Sequence, residues 1–570
     1  MKKLFTLPIT TFLINLFVFC IFINSSTSAQ APNWLWAKSA GGNNGSSYGN
    51  SIITDAYGNS YVTGYFNSFT IAFGSYILNN ANSTYPLIDN IFLAKYDANG
   101  NVLWAKSFGG TGTGNNGAYG DKGQSITIDA SGNIYITGEF SSPSITFGNY
   151  TLNNYGNNAY DVFIAKFDAG GNALWAKSAG GNYYDMSYSI KADASGNVYI
   201  TGEFDSPSIT FGNYTLNNHG NNAYDVFFAK FDVNGNVLWA KSAGGNADDV
   251  GNSITTDASG NVYITGEFDP PSITFGNYTL NNTGVWDIFL VKYNASGNVL
   301  WAKSAIGTNN DYANSVTVDA LGNAYVAGQF DSPTMTVGSI TLTNANTNGS
   351  FDLFLAKYDT GGNVLWAKSA GGTDYDVAYS VAVDVSGNAY VVGCFNSSTL
   401  TFGSTTLTNA GYENIFLVKY DAGGNVLWAK SAGGTGSDGA NSVAVDASGN
   451  TYLTGYFLSS TITFGSTTLT NAYVGLFDIF LAKLGNGTGI NEFSNKFDIS
   501  VFPNPSIDNI TIIIPQKATI EISNIQGQLI KTLAVSSNKT SIDVSAFPCG
   551  MYVVKVKTEK GVAVKKFVKE

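Results

Sequence analysis

The sequence predicts an all-β chain: a seven-bladed β-propeller of four-stranded blades, followed by a small C-terminal β-sandwich. Three observations carry this. A Trp-Ala-Lys-Ser segment recurs seven times, at Trp36, Trp104, Trp175, Trp239, Trp301, Trp366 and Trp428. An Asp-x-x-Gly-Asn turn leading into a Tyr strand also recurs seven times, at Asp55, Asp129, Asp193, Asp257, Asp319, Asp384 and Asp446. After about residue 490 the Trp residues stop and the charge changes sign. Self-similarity at a period of some tens of residues marks a repeat architecture, and four antiparallel strands per repeat mark a propeller.

Within one repeat the strands follow from the turns. Ser253–Thr256 and Asn261–Phe268 flank Asp257-Ala-Ser-Gly260, and Asp225–Phe231 and Val237–Ser242 flank Asp232-Val-Asn-Gly235. Gly accepts positive φ and Asp bonds the turn backbone, so each pair is a hairpin. A further short segment, Ser272–Leu280, lies between the second and third strands. The first repeat opens on an outer-type strand, Trp34–Ser39, and the last stops on a third-type strand, Asp478–Lys483. The N-terminal strand is therefore expected to complete the last blade and close the ring, whereas an open solenoid needs caps at both ends.

The ends of the chain are read separately. Lys2 and Lys3, the apolar stretch Phe12–Ile23 and the small residues up to Ala29 form a signal peptide over 1–29. The propeller is assigned to 30–485, a linker to 486–497 and a separate C-terminal domain to 498–570. No other stretch reaches the roughly 18 apolar residues of a membrane span, so no transmembrane span is expected.

Composition removes several chemistries. All 28 basic side chains are Lys, there is one His, and there are three Cys. A Ser-His-Asp apparatus has only His219 to draw on, and zinc sites lack ligands. A net charge of −12 without Arg disfavours nucleic acid. Fourteen of the sixteen Lys between residues 30 and 490 fall at two repeat positions, on the third and outer strands. They read as guards of the exposed edge, with the Trp packed between blades.

The repeat Asp249, then Asp257-Ala-Ser-Gly-Asn-Val-Tyr-Ile-Thr-Gly266, resembles the SBBP-type propeller repeats of secreted bacterial proteins. The tail carries Pro503-Asn504-Pro505, Gly527, Gly550 and Tyr552, and a basic end. It resembles the type A C-terminal sorting domain of type IX secretion. That resemblance implies a partner in the type IX machinery and export across both membranes, to the medium or the cell surface.

For a binding site the long connections between one blade's outer strand and the next blade's first strand are the variable ones. Loops on a rigid scaffold carry binding, and these are rich in Asp, Tyr, Asn and Gly, which suits a glycan or surface-protein ligand. Asp121, Asp185, Asp249, Asp311, Asp376 and Asp438 stand four residues before the Ser that opens the first strand; Ser47 replaces them in the first repeat. Two readings stand. The six carboxylates ring the channel and hold Ca²⁺ through oxygen ligands, or each fixes its own loop by accepting backbone N–H bonds. The second is preferred because the residue recurs in six blades. No other cofactor is expected. Glu139, Glu203 and Glu267 sit in near-duplicate repeats and offer no differentiated acid and base. His219 reads as a surface-loop residue and Cys394 as an apolar filler. The expected role is a non-enzymatic binding module on an exported propeller; the rivals are a carbohydrate-active enzyme and a purely structural surface protein.

Overall fold

The computed structural model describes residues 32–82, 88–111, 120–156, 159–220, 223–269, 271–346, 349–486, 499–514, 517–524, 528–558 and 561–570. The signal peptide, Gly527 and nearly all of the linker lie outside them. The chain divides into two units, up to Asn486 and from Gly487.

The first unit is a β-propeller. Among the described residues five of its sheets hold four antiparallel strands, ordered first, second, third, outer, and two six-stranded sheets hold the same four plus a two-stranded hairpin. The first strands are Ser47–Thr54, Asp121–Ile128, Asp185–Ala192, Asp249–Thr256, Asp311–Val318, Asp376–Val383 and Asp438–Val445. These lie innermost and touch their neighbours all the way round. They begin four residues earlier than the sequence suggests, because a β-bulge after the third residue lets the strand run on through the loop. The Ser that seemed to open the strand therefore sits in its middle. There its hydroxyl accepts the next blade's amide: Ile126 N–H to Ser51, Ile190 to Ser125, Ile254 to Ser189, Val316 to Ser253, Val381 to Ser315, Val443 to Ser380 and Ile52 to Ser442. That last bond closes the ring.

The closing blade is built from both ends of the repeat region. Trp34–Gly42 pairs antiparallel with Asp478–Leu484, with Ala37 opposite Ala482. The short segment between second and third strands is a two-stranded hairpin, for example Ser272–Phe275 with Tyr278–Asn281. At several junctions it also docks on the preceding blade's outer strand, as where Gly41 pairs with Ala72, Ala305 with Val337 and Gly433 with Thr463.

Each blade has a thin apolar core shared with its neighbour; one cluster joins Tyr199, Val226 and Phe228 to Ile264, Phe268 and Phe289. The turn aspartates work as expected. Asp257 Oδ1 accepts the amides of Ser259 and Asn261, its Oδ2 accepts Asn261 Nδ2, and Gly260 takes φ +77°. Tyr263 Oη then donates to Gly322 O of the next blade at 2.9 Å.

The third-strand lysines depart from the sequence reading. They do not guard an edge. Lys166, Lys292 and Lys357 are buried, each over a second-strand Tyr ring at 4.7–5.0 Å. Their ammonium groups share one carbonyl of the next blade with the Trp indole: Lys166 Nζ and Trp175 Nε1 both donate to Val233 O. A cation held over an aromatic face and hydrogen-bonded beyond it ties two blades together.

The second unit is a sandwich. A three-stranded sheet, Ser500–Phe502, Asn509–Ile513 and Lys539–Asp543, faces a four-stranded one, Leu529–Val535, Ala518–Asn524, Gly550–Thr558 and Gly561–Lys569. Ile510, Ile512, Ile520, Val554 and Phe567 share its core.

Candidate functional site

The six candidate aspartates do not converge on the channel. Each is the first residue of an inner strand, at most 1% exposed, and there is one at each of six blade junctions. Asp121 accepts from Gly110 N–H and from the hydroxyl and amide of Ser142. Asp185, Asp311, Asp376 and Asp438 accept the equivalent Ser206, Ser332, Ser397 and Ser459 hydroxyls at 2.6–3.0 Å. Each of these carboxylates is thus held by donors of its own blade junction. Among the described residues no three His, Cys, Asp or Glu are grouped to hold a metal.

Sequence reasoning missed the partners of these residues. The third strand of the preceding blade starts with Asp161, Asp225, Asp287, Asp352 or Asp478, or with Asn90 or Asn414. At four junctions two buried carboxyls therefore meet: Asp161 with Asp185, Asp225 with Asp249, Asp287 with Asp311, and Asp352 with Asp376. Burial, then the neighbouring carboxyl, pushes Asp249 up to about 9. Burial raises Asp185, Asp311 and Asp376 to about 7, against the lowering effect of their Ser hydrogen bonds. Asp249 is the extreme case because the chain has Pro270, outside the described residues, at the sequence position of the donor serine. Among the described residues its Oδ1 has no hydrogen-bond partner, nor has Oδ1 of Asp225.

The residue just before each third strand, and the one just before each first strand, surround the channel mouth on this face. Here the blades differ. Tyr160, Tyr224, Trp286, Phe351 and Phe477 precede third strands, as do Asp89 and Glu413. With their neighbours they form aromatic chains. Trp286 lies 6.4 Å from Tyr312, which lies 5.6 Å from Phe351, itself 5.8 Å from Tyr375. Across the ring, Tyr48 packs on Tyr65, Tyr456 and Phe477 at 5.0–5.6 Å.

The other side of the mouth is acidic. Asp205, Asp248 and Asp269 stand half-buried together; burial, then Asp248, raises the carboxyls of Asp205 and Asp269. Lys122 reaches toward Asp89 at 3.9 Å and over Tyr65 and Tyr160 at 5.4 and 5.5 Å. Beneath lie Glu139, Glu203 and Glu267, buried and each held by its own inner strand: Gln124 Nε2 to Glu139 at 2.8 Å, Tyr188 Oη to Glu203 at 2.6 Å, Asn252 Nδ2 to Glu267 at 2.5 Å. Burial lifts Glu139 and Glu203 to about 7. Cys394 is buried beside the Tyr379 hydroxyl at 3.6 Å. His219 is exposed, with Nδ1 2.5 Å from Asp225 Oδ2.

In the tail, the motif residues gather at the end of the last strand. Asn504 Oδ1 accepts Val568 N–H, and Asn504 Nδ2 donates to Lys566 O. Gly550 pairs with Lys569, and Tyr552 stacks on Phe567 at 5.4 Å. Pro503 and Pro505 lie exposed, just past the edge strand Ser500–Phe502.

Residues 500–570 match the family model described as secretion system C-terminal sorting domain. The tail is a type IX sorting domain. Residues 239–267 match the beta-propeller repeat model of SBBP type. An uncharacterized WD repeat-containing protein of Acanthamoeba polyphaga mimivirus is 25% identical over 517 residues, covering 75% of this chain and 36% of the relative. The regulatory protein FlaEY of Caulobacter vibrioides is 27% identical over 243 residues, covering 40% of this chain and 25% of the relative. The chain thus spans about a third or less of the length of these relatives. Among solved structures, PorZ of Porphyromonas gingivalis, a surface component of the type IX secretion system, aligns over 91% of this chain and 70% of its own, at 12% identity and TM-score 0.29. The sorting domain and the propeller repeats make this an exported protein of the cell surface or medium.

Proposed function

We propose that the exported propeller is a non-catalytic carbohydrate-binding module whose site is the aromatic and acidic channel mouth. The observation that carries this is the Trp286–Tyr312–Phe351–Tyr375 chain lying on the same rim as the half-buried Asp205, Asp248 and Asp269. Sugar rings present C–H faces to aromatic rings and hydroxyls to carboxylates, so a rim of both kinds suits them. The non-catalytic part rests on the three glutamates. Each is enclosed and bonded to its own strand, so no acid and base face each other across an open gap. The sorting tail places this rim outside the cell, where glycans and surface proteins are encountered.

The test is a glycan array and a hydrolysis screen on the exported protein, with Trp286→Ala as the comparison. Binding without turnover, weakened in the variant, supports the proposal. Turnover that is lost in Glu139→Gln or Glu203→Gln supports the enzyme instead. A surface coat with no glycan binding favours a structural role.

A further inference from the structure

A groove of about 770 Å³ lies on the outer side of the ring, between the outer strand Ala173–Ala179 of one blade and the hairpin Ser208–Phe211 with Tyr214–Asn217 of the next. Its width has a local cause. Where Ala305 pairs with Val337, the hairpin closes on the outer strand and the matching groove keeps about 270 Å³. Among the described residues Ser208–Phe211 forms no such ladder with Ala173–Ala179, so the gap stays open. Among the described residues no Asp or Glu lines it, in a chain of net charge −12. The turn carboxylate Asp232 accepts the side-chain amide of Asn236 and stands outside the lining. Lys177, Ser178, Ser208 and Asn213 line the groove, and among the described residues none of these four side chains has a hydrogen-bond or ion-pair partner. Phe211 and Val237 supply apolar wall.

We propose that this groove binds a uronate residue of an acidic polysaccharide, at a site separate from the channel mouth. The Lys177 ammonium takes the carboxylate in a charge-assisted hydrogen bond. The hydroxyls of Ser178 and Ser208 and the amide of Asn213 both donate and accept, as sugar hydroxyls require. Phe211 and Val237 meet the C–H face of the ring, and the volume is that of a small-ligand site. A doubly charged phosphate calls for more positive charge than one ammonium supplies, so a singly charged acid fits better. The third-strand lysines are not free for this, since their ammonium groups are fixed over tyrosine rings and bonded to carbonyls. Narrower copies of the groove follow at the next two junctions, with Lys241 and Lys303 in the place of Lys177. A polymer running round the ring would meet one ammonium at each, which raises its avidity without any new kind of contact.

The full exported protein is titrated calorimetrically with trimers of galacturonate, glucuronate and mannuronate, and with their methyl esters. At least one acid trimer is expected to bind, and its uncharged ester to bind about tenfold or more weakly. Lys177→Gln is expected to lose the same factor. Ser208→Tyr, which fills the groove, is expected to lose binding as well. Both residues are exposed, so both variants should melt with the parent. Trp286→Ala, at the mouth, is expected to bind the acid trimer as the parent does. Three results would overturn the proposal: no acid trimer bound, esters bound as tightly as the acids, or binding that Trp286→Ala removes and Lys177→Gln leaves intact.

Discussion

The amide of Ile52 donates to Oγ of Ser442 at 3.2 Å, joining residues 390 positions apart in the chain. It is one of seven equivalent bonds, and with the pairing of Trp34–Gly42 on Asp478–Leu484 it makes the ring continuous. Deleting residues 32–42 should therefore lower the melting temperature far more than Ser442→Ala. The point substitution strands one buried amide and is expected to cost about 1–3 kcal/mol. Differential scanning calorimetry of both variants checks the order; equal and small losses would mean that the first strand does not close the ring.

Asp249 should make stability fall as pH rises. Its folded carboxyl is raised to about 9 while the unfolded one titrates near 3.8. Between these values the folded state holds the proton and the unfolded state does not. Stability is then greatest at the acid end of the window and is lost as pH rises toward 9. Asp249→Asn, which cannot ionise, should melt higher than the parent at pH 8 by at least about 1.4 kcal/mol, the worth of one pKa unit. The gap should close near pH 4. A difference independent of pH would contradict this.

Gly180 has no room for a methyl group. A Cβ there would stand 2.0 Å from Asp161 Oδ1. Gly180→Ala should cost about 1–3 kcal/mol through overpacking. Combined with Asp161→Gly it should cost less than the sum of the two single changes. Urea melts of the four proteins form the cycle, and simple additivity would show that the two residues do not meet.

Asn504 latches the Pro-Asn-Pro segment to the last strand through Val568 and Lys566. Asn504→Ala should lower the thermal stability of the tail by about 1–2 kcal/mol and leave the propeller transition unmoved. Removal of residues 500–570 should leave the protein behind the outer membrane, as fractionation would show.

The repeats made the architecture legible, because Asp-x-x-Gly-Asn-x-Tyr sets both a turn and the strand that leaves it. Ring closure was legible from the odd strand at each end. The bulge was not: Gly251 and Ser253 look like loop and strand start, and only packing against the next blade shows them to be one strand. The lysine columns were seen, but not that Lys166 faces inward over Tyr135, since a charged residue at a regular period reads as surface. The aspartate column was seen in sequence, whereas its partner column was hidden inside an apolar strand such as Asp225–Phe231. Trp286 and Phe351 carry no motif. They mark the mouth only because they vary at a position next to one that is nearly constant.

The most direct test of the account is binding of the exported protein to a glycan array before and after Trp286→Ala and Tyr312→Ala. The account predicts binding to at least one glycan and a loss of about tenfold or more in the double variant, with its melting temperature within a few degrees of the parent. No glycan bound, or binding untouched by the double substitution, would contradict it.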